Sequence, residues 1–363
     1  MEQANHRIED RKKEGIMITL NEQVQAKHAS TLLECVHFIH SALPELNFED
    51  IDASTSYLRH RFSAPILIDA MTGGTPAATK LNETLAKAAA EYGLGMGVGS
   101  QRAGLKSEAL AETYKVVRRA APDIFLMANI GGAQLAENLS VNNAEKLVRM
   151  IDADALAVHL NPLQELVQPE GEPRFKGVLK GIEMLASKLD VPMIVKEVGA
   201  GISAEVATRL VKAGVASINI SGLGGTSWAG VEQIRAKAEK ITHKAELGEI
   251  YWDWGIPTAA SLIEVRSAVK VPLIASGGLR NGLEIAKCIA LGANLCGIAL
   301  PMLKHAAESF ESLCDFIEGL ELQLMAAMFL VGAIDMEQLS KARRVLTGEL
   351  LQWSNSSMVR SAR

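Results

Sequence analysis

Short apolar runs and longer amphipathic stretches alternate along most of this chain. Each apolar run is about as long as a buried β-strand, and most of the runs end in Gly, Ser, Asn or Lys. The stretches between them, such as residues 80–92 and 205–213, repeat apolar residues at helical spacing. The runs are residues 65–70, 95–99, 125–129, 155–159, 192–196, 217–221, 272–276 and 295–300.

This succession of eight strand–helix units predicts an α/β protein with the fold of a (β/α)8 TIM barrel, its helices forming an outer ring. A doubly wound sheet is the alternative. It fits less well because the units continue to the eighth without a break. Polar residues also follow nearly every run, which is typical of a barrel with its site at the carboxyl ends of the strands.

The same pattern divides the chain into three parts. Residues 1–63 are polar and are predicted to form an N-terminal arm and cap with a short helix, and residues 64–353 the barrel. Residues 354–363 are small and polar and are predicted to form a flexible tail. The longer gap after the sixth run, residues 227–258, predicts an insertion that could act as a lid and carries Trp228, Trp252 and Trp254.

The composition indicates a large folded domain and argues against nucleic-acid and membrane partners. Of the 363 residues, 48% are hydrophobic but only 4% aromatic, which indicates the aliphatic core of buried parallel strands. The net charge of −5 disfavours a nucleic-acid partner. The N-terminus is charged, and the longest apolar run is about half of the roughly 20 residues that a membrane span needs. These two features predict a cytoplasmic protein with no membrane partner. The four cysteines form no CxxC pair and are expected to be reduced thiols.

A glycine-rich turn after the seventh run predicts a phosphate site. Gly277 and Gly278 precede Leu279, Arg280 and a helical stretch. Backbone N–H groups, a helix N-terminus and a guanidinium can therefore meet at one anion. A pair of tight turns without a ligand is the alternative, but the loops after strands seven and eight are where such barrels hold a phosphate.

Polar groups at five other strand ends surround the same predicted mouth. They comprise hydroxyls, one amide and one lysine, which suit a planar heterocycle with carbonyls and ring nitrogens. Lys196 ends an apolar strand, where an ammonium is costly unless it meets an anion or an electron-rich ring. Flavin mononucleotide (FMN) meets this requirement and is preferred over a Schiff-base lysine or a structural salt bridge. The residues are Met71, Thr72, Ser100, Asn129, Lys196, Ser221 and Thr226.

A further polar cluster lies at the end of the fourth run. His159 and Asn161 fall on one side of the strand because they are two residues apart, and Gln164 and Glu165 follow on the loop. A carboxylate near a phosphate-bearing substrate suits Mg²⁺, which prefers one or two carboxylates with phosphate oxygens. The alternative is a packing role, and this density of polar side chains is hard to explain by packing.

Cationic residues predict where a diphosphate binds. Arg102 follows the second run, and Arg11 and Lys12 lie in the N-terminal arm. Taken alone, Arg11 and Lys12 are typical of a solvated charge run. Together with Arg102 and a metal-bound carboxylate, they become candidates for clamping a diphosphate by charge-assisted hydrogen bonds.

Taken together, the motifs resemble those of the type 2 isopentenyl-diphosphate isomerases, FMN-dependent barrels of isoprenoid biosynthesis. The resemblance runs from Arg11 to about Trp353, and it has one departure. The family's arm usually reads Arg-Lys-x-x-His, and here Gly15 stands at the histidine position. The motifs are Arg11-Lys12, Met71-Thr72-Gly73-Gly74, Gly99-Ser100-Gln101-Arg102, His159-x-Asn161-x-x-Gln164-Glu165, Gln168-Pro169-Glu170-Gly171-Glu172, Lys196-Glu197, Gly224-Gly225-Thr226 and Gly277-Gly278-x-Arg280.

The resemblance implies a reaction, its cofactors and an assembly. Isopentenyl and dimethylallyl diphosphate would be interconverted by adding one proton and removing another, with reduced FMN as the acid/base and NADPH as the reductant. Gln164 would be catalytic by positioning a proton, while His159 and Asn161 would orient the diphosphate and the metal site. Glu165 would hold Mg²⁺. Members of the family are homo-oligomers, commonly tetramers or octamers.

The resemblance also implies the contacts of the two ligands. FMN would contact Ala70, Met71, Thr72, Ser100, Asn129, Lys196, Ser221, Thr226, Gly277, Gly278, Leu279, Arg280, Ala299 and Leu300. The substrate would contact Arg11, Lys12, Ser100, Gln101, Arg102 and Gln164.

Three other functions share parts of the pattern. An FMN-dependent 2-hydroxy-acid oxidoreductase shares the barrel and the glycine turn, but we expect it to have a histidine–arginine pair just before that turn, where residues 273–275 are Leu-Ile-Ala. A nucleotide dehydrogenase would have a catalytic cysteine after strand six, where this chain has Gly-Gly-Thr-Ser. A non-catalytic phosphate sensor would leave the cluster at residues 159–165 unexplained.

Overall fold

The computed structural model describes residues 2–137 and 139–361, with side chains for 11–137 and 139–356. The strands are β1 (Val36–Phe38), β2 (Thr55–Tyr57), β3 (His60–Phe62), β4 (Ile66–Ile68), β5 (Gly95–Gly97), β6 (Leu126–Gly131), β7 (Ala155–Leu160), β8 (Met193–Glu197), β9 (Ser217–Asn219), β10 (Leu273–Ser276), β11 (Leu295–Ile298) and β12 (Arg344–Leu346). The helices are α1 (Glu2–Asn21), α2 (Pro76–Glu91), α3 (Glu108–Ala120), α4 (Gly132–Ala136), α5 (Val141–Ile151), α6 (Pro162–Val167), α7 (Val178–Ala186), α8 (Ala204–Lys212), α9 (Trp228–Ala238), α10 (Thr242–Ile250), α11 (Thr258–Ala268), α12 (Gly282–Ala290), α13 (Leu300–Glu308), α14 (Phe310–Val331), α15 (Met336–Ser340) and α16 (Gly348–Ser361).

Eight strands of the described chain, β4 to β11, form one closed barrel. They run parallel and follow one another around the barrel in chain order, with β11 closing on β4. Each is one of the strands predicted from the sequence, and the strand ends differ from the predicted ones by at most two residues. The prediction of a (β/α)8 barrel is therefore confirmed.

An aromatic plug fills the end of the barrel where the strands begin. Tyr57 and Phe62 of the β2–β3 hairpin pack against Phe125, with ring centroids 5.6 and 5.8 Å away. They also contact the first interior side chains of several strands. Tyr57 Oη donates a hydrogen bond to Ser217 Oγ at 2.6 Å. Because this end is filled, the cavity of the barrel lies at the carboxyl ends of the strands.

Several of the outer helices begin at a side chain that caps their first backbone N–H groups. Thr75, Ser140, Ser203 and Asn281 each accept a hydrogen bond from the N–H three residues further on. The apolar faces of these helices join the strands in one continuous core. The caps therefore fix where each helix leaves the mouth of the barrel, which is where the loops carry the candidate site.

The terminal segments are more regular than the sequence predicted. α1 has 20 residues, longer than the short helix expected, and packs on α9 and α13. β1 pairs antiparallel with β12, so the predicted arm joins the C-terminal part of the chain. The predicted boundary of the tail falls inside α16, where Ser354 is buried. The described helix therefore continues beyond that boundary, and residues 362 and 363 lie outside the described residues.

The insertion after strand six folds into helices α9 and α10. Trp252 is buried, whereas Trp254 is 62% exposed. Trp252 Nε1 donates to the backbone oxygen of Gln25 at 2.9 Å, just after α1. α9 also packs directly on α1, so the insertion supports the helix that covers the mouth of the barrel.

Two expectations from composition can be compared with the described residues. Cys288 and Cys296 are buried and unpaired, as predicted, and Cys35 and Cys314 are also free thiols. Among the helices described, none combines the length and the apolar character needed to cross a bilayer.

Candidate active site

A cavity of about 530 Å³ opens at the carboxyl ends of the barrel strands. One of its walls is α1, which contributes Arg11, Lys12, Gly15, Ile16 and Thr19. This spacing places all five residues on one helix face. The predicted arm therefore closes over the mouth of the barrel with its cationic residues directed inward.

The structure brings nearly all of the predicted site residues to this cavity. Those that line it are Arg11, Lys12, Ala70, Met71, Thr72, Ser100, Arg102, Asn129, His159, Asn161, Gln164, Glu165, Lys196, Ser221, Thr226, Gly277, Gly278, Leu279, Arg280, Ala299 and Leu300.

Gln101 is placed elsewhere. Its side chain is fully buried behind the cavity wall, where Oε1 accepts from the backbone N–H of Asn129 at 2.9 Å. Its Nε2 donates to the backbone oxygen of Leu147 at 3.0 Å. A one-turn helix at Gln101–Ala103 turns this side chain away from the mouth. The side chain of Gln101 therefore does not line the cavity, and its expected substrate contact stays a prediction.

The glycine turn has the backbone that an anion site needs. Gly277 and Gly278 have φ values of +99° and +82°. A Cβ on Gly277 would lie 2.0 Å from the oxygen of Gly222, and one on Gly278 would lie 2.6 Å from the carbonyl of Gly224. Only glycine fits both positions. Arg280 lies over the turn, with Nη1 donating to the oxygen of Gly278 at 2.5 Å.

A buried polar network forms the floor of the cavity. Lys196 Nζ donates to the backbone oxygen of Glu197 at 2.8 Å and lies 3.8 Å from Asp69 Oδ2. Asp69 Oδ2 accepts from Asn219 Nδ2 at 3.0 Å, and Asn219 Oδ1 accepts from Ser276 Oγ at 2.6 Å. The network compensates the buried ammonium of Lys196 and directs it at the base of the cavity.

His159 is a neutral imidazole at the cavity wall. Burial, reinforced by the charges of Lys196 and Lys12, lowers the pKa of His159 to about 3. Asn129 Nδ2 donates to the oxygen of Val98 at 3.0 Å, which turns Asn129 Oδ1 toward His159 Nδ1 at 2.8 Å. Because an amide oxygen only accepts, Nδ1 carries the proton and Nε2 is left as an acceptor.

A chain of hydrogen bonds links the polar residues after β7. Asn161 Nδ2 donates to Gln164 Oε1 at 3.0 Å and to Glu165 Oε1 at 3.2 Å. Gln164 Nε2 donates to Glu232 Oε1 at 2.9 Å. Glu165 Oε2 accepts from the backbone N–H of Glu172 at 2.9 Å. Among the described side chains, Asn161 Oδ1 is a buried oxygen without a hydrogen-bond partner. This oxygen can therefore still accept a hydrogen bond.

No cluster of three His, Cys, Asp or Glu side chains within the described ranges is arranged to hold a metal. Glu165 lines the cavity and is the carboxylate that follows β7 on the same side as His159 and Asn161. A single carboxylate can still hold Mg²⁺ when phosphate oxygens and waters complete the octahedron. The metal would therefore depend on the substrate for part of its coordination.

Cationic side chains of α1 also line the cavity. Lys12 Nζ donates to the backbone oxygens of Gly73 and Ser100, at 2.9 and 2.6 Å, and to Tyr114 Oη at 2.7 Å. Burial, together with the charge of Arg11, lowers the pKa of Lys12 to about 7. A Cβ on Gly15 would meet nothing within 4 Å, so the position of the family's histidine is open space.

Comparison of the chain with known proteins identifies its family. The model of the FMN-dependent dehydrogenases matches residues 160–346. The chain is 44% identical to the isopentenyl-diphosphate delta-isomerase of Methanothermobacter thermautotrophicus over 96% of both chains. It is 48% identical to that of Methanosarcina mazei over 93% of this chain and 92% of the relative.

The chain belongs to the isopentenyl-diphosphate delta-isomerase family. The resemblance inferred from the motifs is therefore confirmed. Solved structures give a more distant likeness, to the Pediococcus acidilactici lactate oxidase with a TM-score of 0.67, 15% identity, and coverage of 96% of this chain and 94% of that one. A mandelate oxidase gives a TM-score of 0.64 at 17% identity, over 93% and 98%. This likeness concerns the fold alone.

Three residues of this isomerase-family site were missed by the sequence analysis. Asp69 directly precedes the predicted FMN residue Ala70, and its place at a strand end was the available signal. Glu232 lies on α9 and Tyr114 on α3, both far in sequence from the strand ends that they approach. Neither has a local pattern that marks it, because helix packing alone brings it to the site.

Proposed function

We propose that this chain interconverts isopentenyl diphosphate and dimethylallyl diphosphate. The observation that carries the proposal is its 44–48% identity, over nearly the full length, to proteins named for that reaction. The reaction delivers one proton and removes another without a net transfer of electrons. The site must therefore hold the diphosphate still, exclude water and present groups that hold protons in place.

We propose FMN as the cofactor, because the residues present fit it. The turn at Gly277 and Gly278 offers backbone N–H groups at the start of α12, and Arg280 adds a full positive charge. Lys196 offers a buried cation to an electron-rich ring. When bound in its reduced form, which NADPH would produce, FMN supplies an acid/base group and negative charge. The residues that would hold it are Ala70, Met71, Thr72, Ser100, Asn129, Lys196, Ser221, Thr226, Gly277, Gly278, Leu279, Arg280, Ala299 and Leu300.

The diphosphate is proposed to bind between α1 and the loop after β5. Arg11 Nε lies 3.9 Å from Glu170 Oε1, and Arg102 Nη2 lies 3.9 Å from Glu172 Oε2. These distances are long for ion pairs, so both guanidinium groups can turn to a bidentate anion. Lys12 and Ser100 lie on the same wall. Glu165 would bind Mg²⁺ together with the diphosphate oxygens.

The chain from Asn161 to Glu232 is proposed to fix the protons nearest the reacting carbons. Gln164 is held at both ends, by Asn161 at Oε1 and by Glu232 at Nε2, so its amide has one orientation. An amide is a poor base, so Gln164 positions a proton rather than removing one. Neutral His159 offers Nε2 as an acceptor without adding charge, and with Asn161 it would orient the diphosphate and metal.

Two larger-scale expectations also remain proposals. Residues 1–63 would act as the arm and cap of a barrel spanning residues 64–353. The chain would assemble into a homotetramer or homo-octamer, which light scattering after gel filtration would distinguish from a monomer.

An anaerobic assay tests the proposed function. The protein is supplied with FMN, Mg²⁺ and a single equivalent of NADPH per active site, and isopentenyl diphosphate is followed by NMR. We expect many turnovers to dimethylallyl diphosphate for each NADPH. Consumption of NADPH in step with product, or oxidation of a 2-hydroxy acid in its place, would contradict the proposal.

A further inference from the structure

Four carboxylates surround one buried guanidinium beside the cavity. Arg235 of α9 is only 5% exposed, and its Nη1 donates to Glu232 Oε2 at 2.7 Å. Its Nε donates to Glu14 Oε2 at 3.0 Å, and its Nη2 to Glu170 Oε1 at 3.0 Å. Glu239, one turn further along α9, lies 3.5 Å from Nη2. Each nitrogen of the guanidinium is therefore engaged.

The partners of Arg235 belong to three different parts of the site. Glu14 lies on α1, the helix that forms one wall of the cavity. Glu170 lies on the loop after α6. Glu232 lines the cavity, and its other oxygen accepts from Gln164 Nε2 at 2.9 Å. One guanidinium thus connects the helix that covers the cavity to the hydrogen bond that orients Gln164.

We propose that Arg235 is a positioning residue of this site, which fixes the Glu232 carboxylate on Gln164 and holds α1 closed through Glu14. It acts through these residues, because its own side chain lies behind the cavity wall. The kinetic consequences of the proposal rest on the proposed function. Its structural consequence, the attachment of α1 to α9, does not.

The surroundings explain why this residue is an arginine. Burial raises the pKa of the Glu232 carboxyl, and the adjacent guanidinium opposes that shift. Removing Arg235 would leave a buried carboxylate without its counter-ion, which is strongly destabilising. A lysine would supply the charge, but its donors all lie on one nitrogen, so it could not reach the three carboxylates that Nε, Nη1 and Nη2 of Arg235 reach separately.

A pair of matched substitutions tests the proposal in the full chain loaded with FMN. Glu14→Gln and Glu239→Gln each remove one carboxylate from Arg235, and the two side chains are 55% and 46% exposed. Glu14 joins two helices, whereas Glu239 lies on the same helix as Arg235. Hydrogen exchange of the α1 amides is measured, together with kcat and KM for isopentenyl diphosphate. Arg235→Lys is measured in the same way.

We expect Glu14→Gln to speed exchange in α1 by about fivefold and to raise KM by about fivefold with kcat nearly unchanged. Glu239→Gln is expected to change neither quantity. Arg235→Lys is expected to speed exchange in α1 and also to lower kcat by about tenfold, because Glu232 loses a charge-assisted bond.

Equal exchange of α1 in the two glutamate variants would overturn the proposal, as would an unchanged kcat in folded Arg235→Lys. Should Arg235→Lys fail to fold, the comparison of the two glutamate variants decides. A wild-type protein without isomerase activity would contradict the proposed function instead, and the exchange data would still test the attachment of α1.

Discussion

The two ends of the barrel are built by different means. Where the strands begin, the barrel is closed by large side chains, since the aromatic rings of Tyr57, Phe62 and Phe125 fill its interior. Where the strands end, polar side chains and backbone conformation shape the open cavity. Gly277 and Gly278 hold positive φ angles there, against neighbouring backbone that leaves no room for a Cβ.

This difference separates stability from binding. The closed end holds a continuous apolar cluster and the buried hydrogen bond from Tyr57 to Ser217. The open end carries the buried charge of Lys196 and the partly buried charge of Lys12, and removing such charges from water is costly. Changes at the open end should therefore affect ligands most, and changes at the closed end should affect the free energy of unfolding.

The largest effect is expected from Gly278→Ala. The new Cβ would lie 2.6 Å from the backbone carbonyl of Gly224, and the residue would also be strained at φ +82°. We expect the protein to fold, to lose FMN affinity by about a hundredfold or more, and to purify colourless. Absorbance near 450 nm and FMN titration measure this.

Gly177→Ala is the matched control for backbone strain. Gly177 has φ +96°, and a Cβ there would meet nothing within 4 Å. It shares the strain of Gly278→Ala without the close approach at the cavity. Equal loss of FMN in both variants would show that strain alone explains the effect, and the phosphate assignment would then be wrong.

The comparison of the two ends also explains what the sequence could predict. Buried parallel strands are apolar on both faces, so all eight were visible as runs, and the residues at their ends were visible as interruptions. Of the wall made by α1, only Arg11 and Lys12 were predicted, because the polar sequence of this helix resembles that of a solvated helix until it is placed over the cavity. Glu232 and Arg235 likewise reach the site only through the packing of α9.

Glu165→Gln is expected to have the second largest effect. The amide keeps the size of the side chain and can accept only one of the two hydrogen bonds that Asn161 and Glu172 donate to the carboxylate, and it removes the charge that would hold Mg²⁺. Activity should fall by about a hundredfold while FMN content stays normal. Activity measured against Mg²⁺ concentration checks this. An unchanged Mg²⁺ dependence would assign the metal to another carboxylate, such as Glu197.

Lys12→Met is expected to have a smaller effect that depends on pH. The pKa of Lys12 is lowered to about 7, so its ammonium is present below pH 7 and is lost as the pH rises through that value. In the wild-type protein, KM for the diphosphate should therefore rise by about tenfold between pH 6.5 and 8.5, as one charge contact is lost. In the variant, KM should already be high at pH 6.5, and this rise should be missing.

Lys13→Met is the control for the charge of α1. Lys13 is exposed, and it lies outside the cavity-lining face. The substitution Lys13→Met removes the same formal charge from α1 as Lys12→Met does. If Lys13→Met abolished the pH dependence as Lys12→Met does, the general electrostatics of α1 would explain the effect, and the burial and lowered pKa of Lys12 would not.

The smallest effect is expected at the closed end, from Tyr57→Phe. This change removes the hydroxyl that donates to Ser217 Oγ at 2.6 Å and keeps the ring that packs against Phe125. Ser217 Oγ still donates to the oxygen of Pro272 at 2.8 Å, so only one hydrogen bond is lost. The free energy of unfolding should therefore fall by about 1 kcal/mol, as measured by urea denaturation.

FMN affinity and KM should not change in Tyr57→Phe, because the aromatic plug lies at the opposite end from the cavity. A Tyr57→Phe protein that kept its stability but lost FMN would show that the two ends are coupled, and the separation of stability from binding would then be wrong.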